Sequence, residues 1–270
     1  MIKNGLAVFW LALAASSAHA DGDYFSPTDD RVRLSLGIMR VSSSTTVQVD
    51  SSTGTPGTVV DAENDLGLDG SDIEPDVQAM VRVGERHRLT FDFFTLDRSA
   101  TRTLNGQPIV FGDVVLQTGA PVQSTLNLRT FGFAYGYSFW HSETLEFAAT
   151  LGINDTDINS SVRVQTQTSH VFQNEDVAGP FPTLGLDGTW VVSKRFYFDA
   201  RGQYLQVHLH ELQGSLGMYE LDALYRFRAN VSFGLGYTAV KADLNSAKTD
   251  HGGFFDFDSK GPQIFLRVAF

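Results

Sequence analysis

From about residue 30 onward the chain falls into segments of ten to fourteen residues whose apolar side chains recur at every second position. Only a strand shows one face at i, i+2 and i+4, so this period commits the chain to β-structure. The clearest segment runs from Phe196 to His208, with Phe196, Phe198, Ala200, Gly202 and Tyr204 on one face and Asp199, Arg201 and Gln203 on the other. The next sets Tyr219, Leu221, Ala223, Tyr225 and Phe227 against Glu220, Asp222, Arg226 and Arg228. Val231, Phe233, Leu235 and Tyr237 oppose Ser232, Gly234, Gly236 and Thr238, and the last segment sets Ile264, Leu266, Val268 and Phe270 against Gln263 and Arg267. Six earlier segments, near 31–43, 74–84, 88–98, 125–138, 144–154 and 181–193, repeat the pattern less regularly. Around Leu128 to Phe131 the parity slips by one, which predicts either a bulge or an end of the embedded part.

Ten strands follow, and their connections alternate in length. Those at 84–87, 139–143, 193–195 and 228–230 are tight, whereas 44–73, 99–124, 155–180 and 243–260 are long and polar, with a shorter one at 209–214. A soluble sandwich has no reason to gather every long loop at one end; a membrane barrel with short turns on one side and long loops on the other does. The expected fold is a single-domain, all-β, transmembrane antiparallel up-and-down barrel of about ten strands, with eight or twelve as alternatives. No run of about 20 apolar residues offers a membrane-spanning helix.

Residues 1–20 read as a cleaved signal peptide, leaving 21–270 as the barrel. Lys3 precedes an apolar run from Leu6 to Ala15, and Ala18-His19-Ala20 has the small-x-small pattern of a cleavage site. Acidic residues outnumber basic ones 31 to 20, for a net charge of −11, which disfavours a nucleic-acid partner. With no cysteine there is no thiolate chemistry.

Three features decide which face meets lipid. The polar face carries both signs on nearly every strand: Arg33, Asp76, Arg82, Asp92, Glu146, Asp187, Asp199, Arg201, Glu220, Asp222, Arg226 and Arg267. Aromatics such as Trp190, Phe196, Phe198, Tyr225, Phe227 and Tyr237 lie toward the strand ends of the apolar face, as an interfacial girdle requires. Finally, the alternating segment 264–270 stops on Phe270. This ending, Ile264-Phe265-Leu266-Arg267-Val268-Ala269-Phe270, resembles the terminal strand of bacterial outer-membrane β-barrel proteins. The resemblance extends to the leader and the hairpin plan, and the stretch from Gly57 to Leu68 is similar to one in uncharacterised members. It implies a Gram-negative outer-membrane location, with outer-membrane lipid and lipopolysaccharide as surroundings. It also implies that Phe270, Val268, Leu266 and Ile264 form the insertion signal read by the barrel-assembly machinery.

Candidate chemistry is sparse. A ten-strand barrel is little wider than its own side chains, so the inward charges Arg82, Asp92, Glu146, Asp187, Asp199, Arg201, Glu220, Asp222, Arg226 and Arg267 are expected to pair across a narrow lumen. A porin-like conduit is the alternative. From Val41 to Val81 there are eight acids and no Lys or Arg. Asp61, Glu63, Asp65 and Asp69 are candidate ligands for loose capture of a divalent cation beside lipopolysaccharide phosphates. However, Leu66 occupies the place where a calcium loop needs Gly, and Asp72 stands at the twelfth place instead of Glu. The simpler reading is a solvated acidic loop.

Some barrels of this kind are rim proteases with Asp and His pairs, and smaller ones deacylate lipid A. Here His208 and His210 lie beside Glu211, and Asp97 lies near another strand's outer end. Both histidines share parity with outward-facing Phe196, and no triad is fixed, so no catalytic residue is assigned. The turn at His141-Ser142 is explained by turn chemistry. No cofactor or resident metal is expected. The sequence reading is therefore a non-enzymatic integral outer-membrane protein with a structural or surface-contact role, and its extracellular partner is not identified.

Overall fold

The computed structural model describes residues 26–105, 107–165, 170–209, 212–246 and 252–270. Residues 1–25, which include the expected leader, and residues 210–211, including His210 and Glu211, lie outside this set. A short 3₁₀ turn at Pro27–Asp29 precedes β1 (Val32–Val49), and a two-residue β2 (Val60–Asp61) follows in the first long loop. Then come β3 (Ser71–Val83), β4 (His87–Thr103), a small hairpin of β5 (Ile109–Phe111) and β6 (Val114–Leu116), and β7 (Pro121–His141). The remainder is β8 (Leu145–Gln165), β9 (His170–Val191), β10 (Phe196–Leu209), β11 (Leu212–Arg228), β12 (Val231–Ser246) and β13 (Gly253–Ala269).

Ten of these strands form one ring in the order β1, β3, β4 and β7 through β13, each antiparallel to its neighbour, and β13 returns to pair with β1. Closure runs from Arg33↔Ala269 to Val49↔Gly253. Phe270 extends it, donating its backbone N–H to the Val32 carbonyl at 2.9 Å. With no edge left open, every strand can satisfy its backbone polar groups in lipid.

The alternation is realised as an apolar outer wall. Leu184, Leu186 and Leu221 are 67%, 62% and 65% exposed. Toward the short turns the wall ends in a ring of exposed aromatics that includes Phe139, Trp140, Phe147, Trp190, Phe196 and Phe227. Trp190 packs on Phe198 and Phe196 on Tyr225, with ring centroids 5.9 and 5.3 Å apart. An outward apolar belt on a closed barrel is stable only in a bilayer, and short turns mark the periplasmic end. The chain is therefore an outer-membrane β-barrel.

The structure differs from the sequence expectation in three places. The stretches 155–180 and 243–260, expected as loops, are mostly strand: Ser160 pairs with Glu175 and Asp243 with Asp256. These stretches are mostly polar in sequence, so ladder hydrogen bonds continue there without a regular apolar alternation to advertise them. The connection expected at 209–214 shortens likewise, since Leu209 pairs with Leu212. At Leu128 to Phe131 there is no bulge: β7 pairs in unbroken register with β4 and β8 there, and the irregularities lie at Ser138/Trp140 and Arg226/Arg228. The slip in parity arises because Leu126 and Leu128 are apolar residues on the inner face.

At the outer end, β2, the β5–β6 hairpin and their flanks fold into a small apolar cluster of Val60, Leu66, Leu104, Ile109, Phe111, Leu116, Ala120 and Val122. The loops at 50–69 and 104–120 thus pack on each other.

Candidate functional site

The inner face divides into two levels. The periplasmic half is filled by charge pairs that bridge opposite walls, three or four strands apart in the ring. Glu146 on β8 is fully buried and receives both arms of Arg82 from β3, Nη1 to Oε1 at 2.7 Å and Nη2 to Oε2 at 2.9 Å. Arg88 of β4 approaches the same carboxylate at 3.6 Å and continues to Asp187 of β9 at 3.2 Å. Ser138 Oγ also donates to Glu146. Asp187 lies 3.6 Å from Arg201 of β10, whose Nη1 donates across the lumen to Asp92 of β4 at 2.9 Å.

A second chain of contacts begins at Asp30, just before β1, with Arg33 and Arg226 both at 3.3 Å. Arg33 and Arg267 both reach Asp199, which accepts a further bond from Thr189 Oγ1 at 2.8 Å. Arg267 Nε donates to Ser35 Oγ at 2.9 Å, and its Nη2 lies 3.9 Å from Asp222. Gln263 Nε2 bridges Asp222 Oδ1 at 2.8 Å and Glu220 Oε1 at 2.9 Å. Room for that bridge comes from Gly236, where a Cβ would fall 1.9 Å from Asp222 Oδ1.

All ten charges singled out from the sequence face the interior, and contacts of this network connect them. Two members were missed. Arg88 shares parity with Asp92, a signal that was present. Asp30 lies outside the periodic segments, so strand alternation carries no information about it.

The extracellular half is different. Above the network lies an open-mouthed cavity of about 1330 Å³, counted out to its mouth, with Leu128, Leu205, Leu216, Met218, Phe255 and Phe257 among its walls. Its floor holds Asp76, Asp92, Arg201, Glu220 and Gln263. The lumen expected to be narrow and charge-paired throughout is so only in its lower half, because the upper strands turn apolar side chains inward.

The loop acids have other partners. Arg98 of β4, itself buried, forms an ion pair with Glu63 and donates to the Asp69 carbonyl at 2.9 Å, while Glu63 Oε2 accepts from the Thr45 N–H at 2.9 Å. Asp61 accepts from the backbone N–H groups of Glu63 and Asn64 at 3.1 and 2.8 Å, and Asp65 accepts from the Asp61 N–H at 2.9 Å. Slight burial alone would raise the Asp61 pKa, but hydrogen bonds from Asn64 and Glu63 more than reverse it and hold the carboxyl below its ordinary value. Among the described residues no three acidic or histidine side chains converge on a metal-sized point. Of the four acids weighed as divalent-cation ligands, Asp61, Glu63 and Asp65 have carboxylates engaged by the turn and by Arg98, and Asp69 offers its backbone carbonyl to Arg98.

Of the rim candidates, Asp97 lies on the outer face of β4, and its N–H contacts Glu74 Oε1 at 3.4 Å. His208 belongs to β10, and its side chain lies outside the described residues. His141, at the periplasmic end, lies 3.2 Å from Asp29 and 3.6 Å from Glu146, and Ser142 Oγ closes its turn on the Leu145 carbonyl at 2.9 Å. Of the insertion-signal residues, Ile264, Leu266 and Phe270 are exposed on the outer wall, and Val268 is half-buried.

No protein-family model and no curated protein matches the sequence. Among solved structures, the chain is similar to the outer membrane protease OmpT from Escherichia coli, with a TM-score of 0.56 at 9% identity over 93% of this chain and 99% of that one. A FadL homologue from Pseudomonas aeruginosa aligns with a TM-score of 0.41 at 8% identity, covering 89% of this chain and 90% of that one. Neisserial surface protein A aligns with a TM-score of 0.32 at 11% identity, covering 88% and 97%. The first of these likenesses shows the fold alone, that of a bacterial outer-membrane barrel.

Proposed function

We propose that this barrel is a non-enzymatic integral protein of the outer membrane, with its lumen shut by a charge-paired plug and its folded outer loops serving a structural or surface-contact role. The observation that carries the reading is the set of cross-lumen pairs: Arg82–Glu146, Arg88–Asp187, Arg201–Asp92 and Arg267–Asp199 each tie together strands that are not neighbours. A conduit for ions or solutes needs water along its axis. Here that position is held by guanidinium–carboxylate contacts whose partners are largely desolvated.

The surroundings follow from the outer wall. Its apolar belt takes outer-membrane lipid and lipopolysaccharide, and Ile264, Leu266, Val268 and Phe270 would present the terminal strand to the assembly machinery. A second reading, a porin-like channel, draws on the cavity, which opens half of the lumen. The two are separated by solute flux. Liposomes carrying folded protein should swell in isotonic arabinose no faster than protein-free liposomes; swelling at a porin's rate would overturn the plug.

A further inference from the structure

The geometry points to a binding site in the extracellular half of the lumen for a small amphipathic organic cation, its ammonium group on the carboxylate floor and its apolar body against the upper wall. The wall of the cavity is the first argument. Leu128 of β7, Leu205 of β10, Leu216 and Met218 of β11, and Phe255 and Phe257 of β13 all turn inward over this space. Facing lipid cannot explain them, because lipid is on the other side. Apolar area left against water is area that an apolar occupant would cover favourably.

The floor sets the sign of the ligand. Asp76, Asp92 and Glu220 line it with a single guanidinium, that of Arg201. Arg201 is already engaged with Asp92 at 2.9 Å and Asp187 at 3.6 Å. Glu220 accepts from the Gln263 amide at 2.9 Å, and among the described residues neither it nor Asp76 is in ion-pair contact with a basic group. Carboxylates at the bottom of an apolar cup are only partly solvated and have few polar neighbours, so a cation is the partner that lowers their energy. Phe255 and Phe257, with ring centroids 6.1 Å apart, add ring faces that favour positive charge. An anion would be opposed by three carboxylates against the one guanidinium of Arg201, and a neutral apolar molecule would leave the floor unmatched.

The site goes beyond the plug reading and rests on it only for the solidity of the floor. It is tested by isothermal titration of the folded full-length barrel in nanodiscs with naphthylmethylammonium, the neutral naphthylmethanol and the anionic naphthylacetate. The ammonium should bind saturably and about tenfold tighter than the alcohol, the value of one charge-assisted contact, while the acetate does not bind. Asp76→Asn with Glu220→Gln should reduce ammonium affinity to that of the alcohol and leave the alcohol unchanged. Leu216→Trp, which fills the cup, should weaken both. Heat-modifiable gel migration confirms that each variant is folded, and Asp76→Asn alone serves if the double variant is not. Equal affinity for ammonium and alcohol, or binding indifferent to Leu216→Trp, would overturn the site. Absence of binding together with absence of arabinose flux would reject this site and leave the plug standing; binding together with flux would do the reverse.

Discussion

Replacing Glu146 by glutamine tests how dry the plug is. The side chain is fully buried, and Arg82 and Arg88 opposite it keep only 2% and 6% of their side-chain surface exposed. Glutamine preserves the shape and one acceptor oxygen, but it turns an amide donor toward two guanidinium groups. Arg82 then keeps the carbonyls of Asp30 at 3.2 Å and Glu85 at 3.0 Å and loses one of its two acceptors on residue 146, while Arg88 still has Asp187 at 3.2 Å. Removing one partner of a buried pair costs about 3–5 kcal/mol; the surviving Asp187 contact puts the expectation near the lower end, about 3 kcal/mol. The assay is urea unfolding of the barrel in lipid vesicles, followed by tryptophan fluorescence and gel migration. A companion variant, Arg82→Met with Glu146→Leu, should recover much of the loss, because replacing a whole buried pair by apolar groups is often near neutral. A cost below about 1 kcal/mol for Glu146→Gln, the size of a solvated surface pair, would mean that water reaches this level and the plug argument fails.

Other outcomes follow from the same structure. Leu221→Arg, at a position 65% exposed on the outer wall, should cost about 2–4 kcal/mol if it meets the bilayer midplane, whereas Asp222→Asn beside it should leave insertion intact; vesicle-folding yields compare them. Deleting Phe270, which closes the β1–β13 seam through the Val32 carbonyl, should leave protein unassembled in the periplasm, and normal surface labelling of that mutant would count against its role. In the acidic loop, the hydrogen bonds that depress the Asp61 pKa favour the folded turn in its ionised form. That contribution is therefore full above the carboxyl's ordinary value of 3.8 and lost as pH falls through the lower folded value. Proteolytic protection of residues 50–69 should hold at neutral pH and decline only in strong acid, with no transition near pH 6.

What could be read from the sequence is what lipid enforces. An outward apolar residue at every second place, as in Leu184 and Leu221, is demanded across the belt, so the ten strands and their faces were legible. Where that demand ends, so does the signal. Ser160 and Glu175 pair in a strand ladder outside the belt, yet nothing in their types distinguishes them from a polar loop. Long-range pairing is also invisible locally: Arg98 meets Glu63 of the folded outer loop across 35 residues of chain, and Arg82 meets Glu146 across the lumen and 64 residues, consequences of the fold and not of spacing. The cup left a trace, the change of parity at Leu128, but a phase slip in one strand reads equally as a bulge. Only the inward turn of Leu205, Leu216 and Phe257 on other strands makes it a wall.

The shut lumen is tested most directly by planar-bilayer recording of the purified, folded barrel. The wild-type protein is predicted to insert without producing stepwise ion currents, while the triple variant Glu146→Gln, Asp187→Asn, Asp92→Asn, which removes a carboxylate from each contact of the Arg82–Arg88–Arg201 chain, should produce them where it folds. Discrete, reproducible conductance steps from the wild-type barrel would contradict the account.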